Sequence, residues 1–154
     1  MAWENIVQDK IFLSIPCTEA TLEEGKEIGF RLMRALLESR DGIGLAANQI
    51  GIQKKVCLVH VEQPLLLINP IIVAAEGEVS YEEACLSFPG ESVKTKRFSD
   101  IKVITSNHSE VLHFSRNKNL LECICVQHEI DHLNGLTMHN RRNNVDNEPG
   151  GTDE

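Results

Sequence analysis

The sequence lacks long hydrophobic runs and has an excess of negative charge. Its uninterrupted apolar stretches, such as residues 64–68, are far shorter than the roughly 20 residues needed to span a bilayer. Lys and Arg number 15 against 23 Asp and Glu, which gives a formal net charge of −8, and no basic block exceeds two residues. This pattern disfavours binding to nucleic acid through phosphate neutralisation. We therefore expect neither a DNA partner nor a membrane partner.

Features of a secreted protein are also missing. Residues 1–10 carry two acidic groups and no long apolar segment, so no secretory signal is predicted. The cysteine count is five, and an odd number does not suit a disulfide framework. We expect a cytoplasmic protein with reduced thiols, and 154 residues suit a single domain.

The hydrophobic pattern predicts a helix, a β-rich middle and a second helix. Residues 21–39 carry apolar residues at helical spacing and begin with a capping-box pair, Thr21 and Glu24. Within this helix Gly25 and Gly29 are candidates for close packing. Short runs rich in branched residues predict strands at 56–61, 65–73, 78–84, 101–105 and 111–115.

Three further signals concern chain breaks and ends. Pro70 predicts an edge strand or a break within residues 65–73. The second helix should cover residues 120–134, with Asn119 as its cap and Gly135 closing it. After residue 139 the sequence has hardly an apolar residue. We predict one domain over residues 1–139 and a polar, mobile tail over 140–154, so that deletion of residues 143–154 would be neutral.

The strongest chemical signal is the segment His128-Glu129-Ile130-Asp131-His132. Residues four apart lie on one face of a helix, with Cβ atoms about 5–6 Å apart, so both imidazoles can reach one metal ion. Glu129 is rotated away from that face, which suits a base acting on water at the metal. Such a short pattern also arises by chance on surface helices, so it needs support from elsewhere in the chain.

The third metal ligand decides the class of site. A metzincin would have a His three residues after Gly135, but this chain has Met138 there and His139 one position late. The downstream glutamates all lie in the polar tail. The remaining ligand is therefore expected upstream, where Cys85 is the best candidate by residue type.

Two other segments support a functional site. Residues 42–49, Gly-Ile-Gly-Leu-Ala-Ala-Asn-Gln, form a glycine-rich loop where backbone can approach a substrate closely. Residues 83–87, Glu-Ala-Cys-Leu-Ser, place the thiol after a predicted strand. Each segment alone is more typical of a simple turn or a buried cysteine, and their joint presence with the His pair favours function.

With these motifs in this order, the sequence resembles the peptide deformylase family. The family shows Gly-x-Gly-Leu-Ala-Ala-x-Gln, Glu-Gly-Cys-Leu-Ser and His-Glu-x-x-Asp-His motifs, and the resemblance spans residues 5–138. The chain departs from the pattern at Ala84, where the family usually has Gly. Its early polar tail is similar to short forms carried by some phages. The resemblance implies an α+β fold with small mixed or antiparallel sheets around a central C-terminal helix that carries the metal-binding motif.

The resemblance also implies a reaction. The enzyme would remove the N-formyl group from the N-terminal formyl-methionine of nascent polypeptides and release formate. Cys85, His128 and His132 would bind one divalent metal, most often Fe(II) in the family, with Zn(II) or Ni(II) as substitutes, and water would complete the site.

The same resemblance assigns roles to three more residues. Glu129 would take a proton from the attacking water and later give it to the leaving amine. The Gln49 side-chain amide and the Leu86 backbone N–H would join the metal in stabilising the oxyanion.

Substrate-binding residues follow from the helix and the glycine-rich loop. Leu121, Ile124 and Cys125 lie one to two turns before the first His of the motif and would line an apolar pocket for the methionine side chain. The peptide backbone would pair as an added strand beside Gly44. An ion pair between Asp41 and Arg97 was considered as a brace for the loop.

The expected partners are formyl-methionyl nascent peptides, with at most transient contact to the ribosome. We expect a monomer in the cytoplasm, or in the host cytoplasm if the chain is phage-encoded. Two alternatives stay open. One is another metallohydrolase with the same ligands that acts on a different small acyl or amide substrate. The other is a binding module whose metal is structural, but such a zinc site needs four protein ligands and we identify no fourth.

Overall fold

The computed structural model describes residues 5–143. Two short 3₁₀ turns lie at Ala47–Ile50 and at Met138–Arg141. Within the described range no helix is both long and apolar enough to cross a membrane. The helices and strands, in chain order, are α1 (Lys10–Leu13), α2 (Leu22–Ser39), β1 (Gly44–Ala46), β2 (Val56–His60), β3 (Pro64–Ile68), β4 (Ile71–Glu76), β5 (Val79–Ala84), β6 (Ser92–Arg97), β7 (Asp100–Ile104), β8 (Leu112–Ser115) and α3 (Arg116–Leu133).

The strands form three small sheets with antiparallel pairing. Their orders are β1-β2-β3, β4-β7-β8 and β5-β6. The long C-terminal helix α3 packs against the first two sheets, and its residues from 123 to 133 are buried. This is the predicted α+β arrangement of small sheets around a central helix.

Strand β2 shows why the core has two layers. Its residues Cys57 and Val59 pack in the cluster with α3, whereas Val56 and Leu58 pack in the cluster with α2. Because successive side chains of a strand point to opposite faces, a strand covered on both sides must be apolar throughout. The continuous apolar sequence of β2 therefore places its sheet between the two long helices.

Helix α2 begins and packs as predicted. Thr21 Oγ1 accepts the Glu24 N–H at 3.0 Å, and the Glu24 carboxylate accepts the Thr21 N–H at 2.9 Å, which completes the capping box. Gly25 and Gly29 face β3. A Cβ atom on Gly25 would overlap the Ile68 side chain, and one on Gly29 would lie 2.9 Å from Leu66. Both glycines therefore allow the helix to approach the strand closely.

The ends of α3 also follow the sequence signals. Asn119 has non-helical backbone angles, and its side chain accepts the Glu122 N–H at 3.0 Å. A preceding turn from Arg116 continues into the helix proper, which starts after this cap. Gly135 has φ +80° and closes the helix in the left-handed region, next to the Ser14 carbonyl.

The strands differ from the prediction in two places: one predicted strand is divided, and one strand was not predicted. The predicted strand 65–73 is divided at Asn69 and Pro70, so the break expected from the proline is present. Strand β6 was missed. Its inward residues are Val93, Thr95 and Arg97, and two polar residues among the three hide the alternating hydrophobic pattern.

The C-terminal boundary lies later than residue 139. Arg141 binds Asp131, and Arg142 forms a β-bridge with Thr95. The Asn143 side chain is buried and donates to Ser80 Oγ at 2.9 Å, while its N–H donates to the Lys94 carbonyl at 2.8 Å. A deletion that starts at residue 143 would remove these bonds, so it is not expected to be neutral. Residues 144–154 lie outside the described range.

We predict that Gly25→Ala destabilises the fold although Ala is the better helix former. Overpacking against buried Ile68 costs about 1–3 kcal/mol, and the gain in helix propensity returns about 1 kcal/mol. Urea unfolding should show a net loss of roughly 1 kcal/mol. Lys26→Ala, at an exposed position of the same helix, is the control. A more stable Gly25→Ala variant would contradict the packing role.

Candidate active site

The predicted site residues meet at one cleft of about 490 Å³. The glycine-rich loop before β1, the 3₁₀ turn after it, the end of β5 and the middle of α3 form its walls. His132 lies behind the wall and is fully buried. The other nine predicted residues line the cleft, namely Gly44, Gln49, Cys85, Leu86, Leu121, Ile124, Cys125, His128 and Glu129.

Cys85, His128 and His132 form a cluster that can hold a metal ion. Their ligand atoms all lie within 4.8 Å of one another, and Cys85 Sγ is 3.3 Å from His132 Nε2. Tetrahedral coordination with metal–ligand bonds of about 2.0–2.3 Å places ligand atoms about 3.5 Å apart. A thiolate with two imidazoles suits zinc or iron, and three protein ligands leave one position open.

Glu83 fixes the orientation of one imidazole, and burial keeps the other one neutral. His128 Nδ1 is 2.7 Å from Glu83 Oε1, so its other ring nitrogen is available for the metal. Burial, assisted by the nearby His128 and Arg97, holds the pKa of His132 well below its usual value. His132 is therefore neutral, which is the ligating form.

Glu83 is itself fixed by a buried network. Arg97 donates to both of its oxygens, through Nε at 2.6 Å and Nη2 at 2.9 Å, and Thr95 Oγ1 donates at 2.6 Å. Burial opposes ionisation of Glu83, but the hydrogen bonds from Arg97 and His128 outweigh it and lower the pKa to about 2. Glu83 is thus an anion at neutral pH that orients His128.

Glu129 lies beside the cluster without belonging to it. Its carboxylate is buried, and within residues 5–143 its Oε1 has no hydrogen-bond partner. Burial raises the pKa of Glu129 to about 7. An unpartnered buried oxygen is costly unless a water or substrate group completes it. This orphaned oxygen fits a site that holds a metal and its water.

Gln49 is oriented by bonds at both ends of its amide. Its Oε1 accepts the Ala46 N–H at 2.9 Å, and its Nε2 donates to Ser87 Oγ at 3.1 Å and lies 3.5 Å from Cys85 Sγ. The donor end of the amide therefore points toward the thiol. Leu86 follows Cys85 directly along the same wall.

Burial raises the thiol pKa values of the other four cysteines. Burial raises the pKa of Cys57 and Cys125 well above the usual value, and raises that of Cys17 to about 11. Burial also raises the pKa of Cys123. Such thiols are poor metal ligands because the thiolate is the ligating form.

Ala84 is accommodated without strain. Its side chain is exposed at the cleft, and among the described non-glycine residues a positive φ occurs at Arg40 and Asn69 but not here. The residue in place of the family's usual glycine therefore leaves Cys85 in reach of His132.

The considered ion pair between Asp41 and Arg97 is wrong. Arg97 is buried and binds Glu83 and Asp131 instead, while Asp41 lies at the cleft. The contact of Glu83 with His128 was not predicted from the sequence. The signal was the strand period of two, because Glu83 lies two positions before Cys85 at the end of β5 and both side chains are buried.

The fold and the site together are typical of a hydrolase with one metal ion. One thiol and two imidazoles can bind the ion, an unpartnered carboxylate lies beside them, and the cleft is open. Comparison with known proteins gives the family. The family model for polypeptide deformylase matches residues 6–148. The chain therefore belongs to the polypeptide deformylase family.

Individual relatives agree with this assignment. The chain is 45% identical to the peptide deformylase of Desulfitobacterium hafniense, over 65% of this chain and 67% of that protein. It is 34% identical to that of Neisseria gonorrhoeae, over 90% of this chain and 86% of the relative. Matches to some other relatives span 57–63% of their length.

A solved structure shows the same fold. The deformylase from the Vibrio parahaemolyticus bacteriophage VP16T, in complex with actinonin, superposes with a TM-score of 0.76 at 32% identity. The match covers 86% of this chain and 98% of that one.

We predict that Cys85→Ser weakens binding of a divalent metal by more than about 100-fold, beyond the effect typical of outer contacts. The expected metal–sulfur distance in the loaded protein is about 2.3 Å for zinc. Chelator competition measures the affinity, and circular dichroism should show a preserved fold. Cys57→Ala and Cys123→Ala are controls that keep the metal. Unchanged affinity in Cys85→Ser would refute the ligand assignment.

Proposed function

We propose that this chain is a metal-dependent hydrolase that removes the N-formyl group from formyl-methionine at the start of nascent polypeptides. The family assignment and the fold support this activity. The observation that carries the proposal is the unpartnered Glu129 Oε1 beside the Cys-His-His cluster at an open cleft.

Cys85, His128 and His132 would hold one divalent cation, and we propose Fe(II) as the native ion with Zn(II) or Ni(II) as substitutes. A cation bound there would polarise the formyl carbonyl and make water more acidic. The chain's own contribution begins with Glu83, which keeps the His128 ring in one orientation.

Glu129 would act as the proton carrier. Its free Oε1 can accept a proton from the attacking water and later donate it to the departing amine nitrogen. Burial raises the pKa of Glu129 to about 7, so near neutral pH the carboxyl can take both its charged and its neutral form. The products are formate and a peptide with a free N-terminus.

Gln49 and Leu86 would stabilise the charge that develops on the formyl oxygen. Fixed donors are effective because they need no reorganisation during the reaction. The Gln49 amide is preset by its bonds to Ala46 and Ser87. The Leu86 backbone N–H would supply the second donor on the same wall.

The methionine side chain would lie against Leu121, Ile124 and Cys125, which belong to the apolar lining of the cleft. The peptide backbone would extend beside Gly44, since β1 lies at the edge of its sheet. The partners we propose are nascent formyl peptides met in the cytoplasm by a monomeric enzyme, with transient ribosome contact at most.

A structural metal site is the less supported alternative. Within the described residues the cluster offers three ligands, and a closed zinc site needs four.

We predict that Glu129→Gln binds metal as the unchanged chain does but loses hydrolysis. Loss of a positioned general base lowers kcat by about 10²–10⁴-fold. Formate release from formyl-Met-Ala-Ser measures activity, and chelator competition measures metal. Glu122→Gln, on the same helix and outside the cleft lining, is the control. Near-normal formate release from Glu129→Gln would show that its role is misassigned.

We also predict discrimination against an acetyl group. The metal-loaded enzyme should release formate from formyl-Met-Ala-Ser and leave acetyl-Met-Ala-Ser and internal peptide bonds intact. Mass spectrometry distinguishes the deformylated peptide, the deacetylated peptide and fragments from internal cleavage. Equal turnover of the acetyl peptide would favour the alternative of a metallohydrolase with a broader acyl substrate.

A further inference from the structure

A row of charged contacts joins the segment after α3 to the candidate metal site. Arg141 lies in the 3₁₀ turn Met138–Arg141 and binds Asp131 on α3. Asp131 binds Arg97, and Arg97 binds Glu83, which holds the ring of His128. These contacts join residues that are between ten and 45 positions apart in the chain, and the series ends at the imidazole of His128.

Asp131 is shared unequally between the two guanidinium groups. Arg141 holds it with two bonds, from Nε to Oδ2 and from Nη2 to Oδ1, both at 2.9 Å. Arg97 gives it one bond, from Nη1 to Oδ2 at 2.5 Å. Arg97 therefore keeps Nε and Nη2 for Glu83, to which they donate at 2.6 and 2.9 Å.

The charge balance of this group depends on Arg141. Two carboxylates, Glu83 and Asp131, are matched by two guanidinium groups, and both carboxylates are more than nine-tenths buried. Without Arg141 a single guanidinium group, that of Arg97, would bind both buried carboxylates. A buried charge that loses its partner is strongly destabilising, so Arg97 would turn toward Asp131 at the expense of Glu83.

The backbone holds Arg141 in place from both sides. Met138 is buried in the same apolar cluster as Cys85 and Phe88. On the other side, Arg142 forms a bridge to β6, and Asn143 bonds to Lys94 of β6. Residues 138–143 are therefore anchored on both sides of Arg141.

We propose that Arg141 is a positioning residue: it completes the partners of Asp131 so that Arg97 and Glu83 can fix the metal-binding orientation of His128. The proposal rests on the metal site assigned above. Outer contacts of metal-binding histidines typically contribute about 10–100-fold to metal affinity or activity.

The test compares Arg141→Met with Arg142→Met in the full chain. Both changes remove one positive charge from neighbouring exposed positions, but the Arg142 contact with β6 is made by its backbone. Chelator competition with Zn(II) and the visible spectrum of the Co(II)-loaded protein report on the site. We expect about tenfold weaker metal binding and an altered Co(II) spectrum in Arg141→Met, and no change in Arg142→Met.

Kinetics and a conservative variant sharpen the test. For formyl-Met-Ala-Ser we expect kcat to fall while KM stays near its original value, because Arg141 does not line the cleft. Arg141→Lys, which keeps the charge but not the two-pronged geometry, should recover part of the affinity. If Arg141→Met does not fold, Arg141→Lys decides, since an unchanged affinity and spectrum there would overturn the proposal.

Equal losses in the two Met variants, or none in Arg141→Met, would also overturn it. The failure of the proposed function is a separate result. An unchanged enzyme that releases no formate from formyl peptides would refute the deformylase activity, while the metal affinities would still decide the role of Arg141.

Discussion

The carboxylate of Glu83 is the contact on which the site depends. It joins the β5-β6 sheet to α3, because it binds Arg97 of the sheet and His128 of the helix. Both partners are buried, and neither could remain in the interior without a polar partner. The sheet that leads into Cys85 and the helix that carries the histidines are therefore held together by ionic contacts as well as by apolar packing.

Helix α3 shows how a polar motif is tolerated in the core. Gln127 is satisfied by the backbone of Phe98, to which it donates at 2.9 Å and from which it accepts at 3.0 Å. Within residues 5–143, the buried side-chain atoms that lack a partner are Asn48 Oδ1, Glu129 Oε1 and His132 Nδ1. All three belong to the site or adjoin it, since Asn48 binds the His132 carbonyl. Incomplete bonding is thus concentrated where a metal, water and substrate would bind.

Local signals were sufficient for much of the molecule. The capping pairs at Thr21 and Asn119, the closure at Gly135 and the proximity of the three candidate ligands all depend on residues close in sequence or on recognisable motifs. Strand β6 and the end of the domain were not predictable in this way. Buried Arg97 and half-exposed Arg141 both resemble surface residues until their partners are known, and those partners lie on other elements.

Gly44 illustrates how the structure adds a physical reason for a glycine that the sequence already singled out. The glycine-rich loop was expected to let backbone approach a substrate. In the structure a Cβ atom at Gly44 would lie 2.6 Å from Glu129 Oε2 and 2.6 Å from Cys125 Sγ. A glycine at this position therefore leaves room for the Glu129 carboxylate even without substrate. Because Gly44 begins the edge strand β1, the same small residue brings the proposed proton carrier next to the proposed peptide-binding edge. In the proposed reaction, the absence of a methyl group at Gly44 would therefore set how closely Glu129 approaches the peptide, whichever metal the site holds.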